Sequence, residues 1–208
     1  RGSNFAYVNE HALLLAEEII RLSPACERGR FCASGTEATM YGMRVARGFT
    51  GKPKVASFSG SYHGAHDYAM PGNLAPWDVP ASTGVPKGAL DSVIVLPPYL
   101  EALERVLASD KDVAGVITEG SGASYGTVPL EPGFLDGVRK LTRQYGGVMI
   151  LDEVITGFRW SPGGLQQKIS VTPDLSTMAK ILTGGMPGGA VAGRAEVMAV
   201  MEQTGDKQ

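Results

Sequence analysis

The residues of this sequence best suited to chemistry are a carboxylate and an amine. Asp152 follows the apolar run Val148-Met149-Ile150-Leu151, and Lys180 follows a second apolar stretch, Leu175 to Ala179, 28 positions further on. Both runs read as buried strands, so each charged residue stands at a strand end. Gly184-Gly185 and Gly188-Gly189 come directly after Lys180. An amine presented in this way can condense with an aldehyde, and a neighbouring carboxylate can keep a pyridine nitrogen protonated. Those are the two requirements of pyridoxal 5'-phosphate chemistry. Taken alone, a lysine is more often a solvated surface charge. Asp152 is harder to explain that way, because a carboxylate behind four apolar residues needs a partner or must neutralise. A pyridinium N–H is one such partner.

Other residues gather around the same idea. Ser34-Gly35-Thr36 lies between a short strand and a helix start, where hydroxyls and orphan N–H groups can cup an anion. The same residues also read as a plain N-cap, by Ser34 or Thr36, with Glu37 favourable in the first turn. Tyr62-His63-Gly64 follows another strand. The tyrosine ring either stacks on a flat cofactor or covers core, and His63 can bond backbone. Glu119 ends a further strand, and Ser59 stands at a strand end too. Strand alternation turns Glu153 away from Asp152 and brings Val154 back to its side, where it can pack on a cofactor face. Arg159 and Arg194 lie near turns and read as carboxylate partners or surface charges, and His11 and His66 as structural or surface residues.

Composition narrows the classes. The chain has 208 residues, 43% hydrophobic and 19% charged, with a net charge of −2, which fits a globular protein with a real core. There is no basic surplus for a nucleic-acid partner or an anionic membrane surface. No apolar run reaches the roughly 18 residues that span a bilayer, and no signal peptide opens the chain, so cytoplasmic residence is the expectation. Cys26 and Cys32 read as free thiols in a reducing compartment, with no zinc pattern around them. Glycine is abundant, 28 residues against about 15 at average usage, and sits at strand ends and turns rather than in a repeat.

The elements that must position these residues alternate. Helices are expected from about Asn9 to Leu22, from a start at Ser34-Gly35-Thr36-Glu37 to before Gly51, from Leu100 to Leu107 and from Phe134 to Tyr145. Strands are expected at 31–33, 55–58, 93–96, 113–118, 148–151, 175–179 and 190–192, with loops over 60–88 and 120–132. Seven strands, several separated by helices, make an α/β domain with a mainly parallel sheet, whose ligands bind beyond the carboxyl ends of the strands. A Rossmann-type nucleotide enzyme fits the pattern poorly, because no Gly-x-Gly-x-x-Gly opens a helix after the first strand.

Four ordered motifs resemble one family over about residues 9–202. They are Ser34-Gly35-Thr36-Glu37-Ala38, Tyr62-His63-Gly64, Asp152-Glu153-Val154-Ile155-Thr156-Gly157-Phe158-Arg159, and Lys180 in its glycine-rich setting. They are similar to those of class III aminotransferases. Gly163-Gly164-Leu165-Gln166, Pro173-Asp174-Leu175 and Gly184-Gly185-Met186-Pro187 point toward the glutamate-1-semialdehyde 2,1-aminomutase branch. The resemblance implies the large domain of the type I pyridoxal phosphate fold, with seven strands, the last antiparallel, and helices on both faces. It implies Lys180 as the cofactor-linked amine and Asp152 as the pyridine-nitrogen partner. Ser34, Gly35 and Thr36 would hold the phosphate, and Tyr62 and Val154 the two ring faces. His63 lies in the tyrosine motif, and Glu119 is a strand-end acid near the cofactor, followed here by Gly120 where the family usually has proline. The implied activity is amino-group transfer between small-molecule amino and oxo substrates in a homodimer. An intramolecular aminomutase and a cofactor-binding fragment without turnover are the alternatives. Family members also have an N-terminal substrate-binding segment and a C-terminal small domain, so residues 1–208 are expected to be an incomplete large domain.

Overall fold

In chain order the strands are β1 (Arg28–Cys32), β2 (Lys54–Phe58), β3 (Val93–Leu96), β4 (Val113–Glu119), β5 (Val148–Asp152), β6 (Leu175–Ala179) and β7 (Gly189–Gly193). The computed structural model describes residues 9–122 and 127–202. All seven strands join one sheet in the order β1-β7-β6-β5-β4-β2-β3. Neighbours from β3 through β6 pair in parallel. β7 runs antiparallel to both β6 and β1, as expected of the last strand. The helices are α1 (Glu10–Leu22), α2 (Gly35–Thr50), α3 (Lys87–Leu90), α4 (Leu100–Ser109), α5 (Phe134–Gln144), α6 (Gly164–Ile169) and α7 (Ala195–Met198).

Strand alternation divides the core between the two faces of the sheet. Val148 and Ile150 of β5 join Met43 and Val45 of α2 on one side. Met149 and Leu151 join Leu103 of α4 and Val138 of α5 on the other. A parallel sheet covered on both faces must be largely apolar on both, which is why β4 to β7 are buried along their whole length and carry few charged residues. β1 departs from expectation. It begins at Arg28, three residues early, and pairs with β7 from Arg28–Gly193 to Cys32–Gly189. Its Arg-Gly-Arg start is exposed at the sheet edge, so no apolar run announces it. The 60–88 loop holds a 3-10 turn, Asp67–Ala69, and α3. The expected 120–132 loop lies partly, and both chain ends wholly, outside the described residues.

Cys26 and Cys32 are unbridged, and burial pushes the Cys26 thiol up to about 12. Among the described residues no helix is long and apolar enough to cross a membrane, and no cluster of side chains could hold a metal ion.

Asp174 pins the sheet to its helices just before β6. Its carboxylate accepts from both terminal nitrogens of buried Arg139 on α5, at 2.5 and 2.9 Å, from Arg194 at 2.8 Å and from the Met149 N–H at 2.8 Å. Burial alone would raise its pKa, but the donors, Arg139 first, hold it below the ordinary 3.8. A folded pKa below the unfolded one means that the unfolded chain binds more protons on the acid side. The contribution is therefore full above about pH 4 and is lost as pH falls through the lowered folded value. Asp174→Ala should cost about 3–5 kcal/mol at pH 7, because it strands a buried guanidinium. Urea unfolding should show this gap closing below pH 3.8.

Candidate active site

The carboxyl ends of β4, β5 and β6 and the N-terminus of α2 enclose a cleft of about 900 Å³. Its helix end is built by a capping box. The Ser34 hydroxyl accepts from the Glu37 N–H at 3.1 Å, and the Glu37 carboxylate accepts from the Ala33 N–H at 2.7 Å. Ser34, not Thr36, is thus the cap. The N–H groups of Gly35 and Thr36 lie in the first turn and have no acceptor within the helix. They sit in the cleft lining with their dipole directed into it. Gly35 is required by close approach, since a Cβ there would stand 2.9 Å from Val154 Cγ1.

Asp152 ends β5 with its side chain buried, 5% exposed. It is in register with Glu119 on β4 and Thr177 on β6. Oδ1 accepts from the Val154 N–H and the Thr177 hydroxyl, each at 3.1 Å. Oδ2 stands 2.7 Å from His63 Nδ1. The carboxylate therefore has protein partners of its own, and His63 is the one that the sequence left open as a backbone bond. With Nδ1 directed at a carboxylate, His63 is a donor there, and its buried Nε2 has no partner among the described residues. Gly64 brings this loop down onto α2: φ is +107°, and a Cβ would lie 2.8 Å from Thr36 Cα. Only glycine combines that conformation with that approach.

Glu119, 6% exposed, accepts from the Tyr62 N–H at 2.7 Å. It fixes the backbone of the half-buried tyrosine beside the cleft. Lys180 leaves β6 in the left-handed region, φ 48°, a strain of about 1–2 kcal/mol for a residue with a Cβ. Its side chain is exposed to the cleft. Among the described residues its ammonium has no ion-pair or hydrogen-bond partner. Backbone strain beside an uncommitted amine makes Lys180 a candidate functional position.

Ser34, Gly35, Thr36, Tyr62, His63, Glu119, Asp152, Val154 and Lys180 all line this one cleft. Ser59 does not; its N–H bonds Leu96 O at 2.8 Å. Arg194 serves Asp174, and Glu153 faces the other way. The Glu153 carboxylate accepts from the Thr156 hydroxyl, the Leu165 and Gln166 N–H groups and the Gln166 side chain. Burial pushes its pKa up despite those donors. It thereby anchors the start of α6, an element that no periodicity announced. Thr39, behind the tyrosine loop, and His66, within it, also belong to the site's support, though nothing in their local sequence set them apart.

The parts fit a flat, anionic, carbonyl-bearing group. A helix end can take a phosphate, and a buried carboxylate can take a protonated ring nitrogen. An uncommitted amine can take a carbonyl, and Val154 and Tyr62 offer apolar surface. Comparison with known proteins agrees. The family described as aminotransferase class-III matches residues 3–207. Glutamate-1-semialdehyde 2,1-aminomutase of Methanothermobacter thermautotrophicus is 41% identical over 99% of this chain and 50% of its own length. An omega-transaminase from Sphaerobacter thermophilus is 41% identical with a TM-score of 0.90, over 98% of this chain and 49% of that one. A transaminase described with PLP bound is 33% identical with a TM-score of 0.87, again over 98% and 49%. The chain thus spans about half the length of the relatives it matches. Pyridoxal 5'-phosphate is the cofactor of the family. With its motifs in order on a seven-stranded sheet, the chain belongs to the class III aminotransferases.

Proposed function

We propose that residues 1–208 are the incomplete large domain of a pyridoxal phosphate-dependent enzyme that moves an amino group from an amino donor to an oxo acceptor. One observation carries this reading: an uncommitted amine at Lys180, a buried carboxylate at Asp152 and an anion-accepting helix end at Ser34-Gly35-Thr36 share a single cleft. When bound, the cofactor supplies an aldehyde and an electron-withdrawing ring.

In this reading Lys180 Nζ would hold the cofactor through its aldehyde. Freed from it, the same amine would carry a proton to and from the substrate carbon that bears the amino group. Asp152, oriented by His63 and Thr177, keeps the ring nitrogen protonated through its charge. The Gly35 and Thr36 N–H groups and the nearby hydroxyls bind the phosphate. Tyr62, held by Glu119, and Val154 cover the ring and keep water from it. The homodimer implied by the family belongs to the same proposal, as do small-molecule amino and oxo substrates. Intramolecular transfer, as in an aminomutase, is the second reading; the 41% identity to a protein of that name supports it, as the equal identity to an omega-transaminase supports the first.

Borohydride reduction of the protein with pyridoxal phosphate, followed by peptide mapping, should find the cofactor covalently attached at Lys180. Attachment elsewhere, or an unchanged absorption band in Lys180→Ala, would sink the assignment. Product analysis then separates the readings. A transferase consumes two substrates, and a mutase rearranges one. No turnover by the full-length protein with either kind of substrate would leave only a cofactor-binding domain.

A further inference from the structure

Thr39 sits one turn into α2, 1% exposed, where its hydroxyl meets four groups. Gly35 O is at 3.2 Å, Thr36 O at 2.9 Å, His63 O at 2.5 Å and His66 Nε2 at 3.2 Å. The two helix carbonyls are the usual local partners of a helical threonine. His63 O and His66 are not local; they belong to the tyrosine loop. A hydroxyl has one proton to donate, and the shortest contact, to His63 O, takes it. Only lone pairs then face His66, so Nε2 must donate, which fixes its tautomer with the bare nitrogen at Nδ1. A bare Nδ1 needs a neutral ring, and burial first, then the neighbouring His63 and Arg47, push His66 down to about 4, in the same direction. Next along the loop, His63 Nδ1 bonds Asp152. Thr36, three residues before Thr39, accepts from the Ala65 N–H at 3.3 Å. Two threonines of one helix turn thus grip the same loop.

We propose that Thr39 and His66 are positioning residues. The donor chain from His66 Nε2–H through the Thr39 hydroxyl to His63 O locks the loop to the first turn of α2. It thereby sets the distance between the phosphate-binding helix end and the His63–Asp152 pair. A rigid cofactor spanning the two ends requires that distance to be fixed. The inference rests on the reading of Asp152 as ring-nitrogen partner.

The test uses the full-length protein. Nitrogen NMR of the histidine rings, without cofactor, should find His66 protonated at Nε2 and bare at Nδ1; the opposite tautomer overturns the chain. Thr39→Val and His66→Phe should each weaken pyridoxal phosphate binding about tenfold, as expected for one lost buried hydrogen bond. Both should shift the His63 ring signals. Thr39→Ser, which keeps the hydroxyl, and His66→Gln, which keeps a donor near Nε2, should stay close to wild type. The double variant Thr39→Val with His66→Phe should be no weaker than the worse single, since both break one chain. If Thr39→Val does not fold, the His66 pair decides. Variants that lower the melting temperature while leaving cofactor affinity and the His63 signals unchanged would make the contact a packing feature and overturn the proposal. Failure of the wild type to bind pyridoxal phosphate would instead overturn the reading of the site itself.

Discussion

Lys180→Ala should lower amino transfer by about 10⁴-fold or more, because in the proposed mechanism it removes the nucleophile and the proton carrier together. The fold should be untouched, since the side chain is exposed and has no hydrogen-bond or ion-pair partner among the described residues. Lys180→Arg sharpens the result. It keeps the positive charge at the same left-handed position, but a guanidinium is never a free amine near neutral pH. If Lys180 acted mainly as a charge, arginine would restore much of the rate. The expected outcome is a loss as deep as with alanine. The check is a single-turnover rate with saturating pyridoxal phosphate, beside a melting temperature for each variant. An arginine variant within tenfold of wild type would remove Lys180 from the chemistry.

What the sequence made legible followed from burial. Val148-Met149-Ile150-Leu151 is apolar and Leu175 to Ala179 uncharged because both faces of their strands are covered, so they announced themselves. Where such a run stopped at a charged residue, the parallel sheet carried that residue to one rim. Asp152, Glu119 and Lys180 were therefore placeable without a structure. β1 was misjudged by three residues because an edge strand needs no apolar pattern, and Arg28-Gly29-Arg30 has none. α6 was missed because six residues are too few for periodicity and its start is set by a buried glutamate 11 residues earlier, Glu153 to Gly164.

The support of the site was hidden for a related reason. The His63–Asp152 bond joins residues 89 apart in sequence, and Thr39 reaches His63 across 24. Neither residue type nor local spacing encodes such contacts; they exist only once the sheet has closed. Asp152 shows the cost of reading without them. Its burial correctly demanded a partner, but three protein groups supply one before any cofactor does. Burial identified the position, and the amine and helix end around it carry the proposed reading.

Asp152→Asn tests what that carboxylate contributes beyond shape. Asparagine can still accept from the Val154 N–H and the Thr177 hydroxyl through Oδ1. Its amide group then faces His63 Nδ1 donor to donor. To relieve the clash the imidazole must move its proton to Nε2, which is buried and without an acceptor among the described residues. The flipped amide is no better, because it turns two hydrogens toward the Val154 and Thr177 donors. Either way one buried group is left unsatisfied, at about 1–3 kcal/mol, which a folded domain should survive. The chemistry loses more. Without a fixed negative charge the ring nitrogen is no longer held protonated, and turnover should fall about 10²–10³-fold or further, as when an aligned charge partner leaves a buried site. His63→Phe keeps the charge and removes only the orientation, so its loss should be clearly smaller. Single-turnover rates of the two variants, with melting temperatures measured alongside, read the order directly. A His63 variant slower than Asp152→Asn would mean that orientation, not charge, is what the ring nitrogen needs from β5.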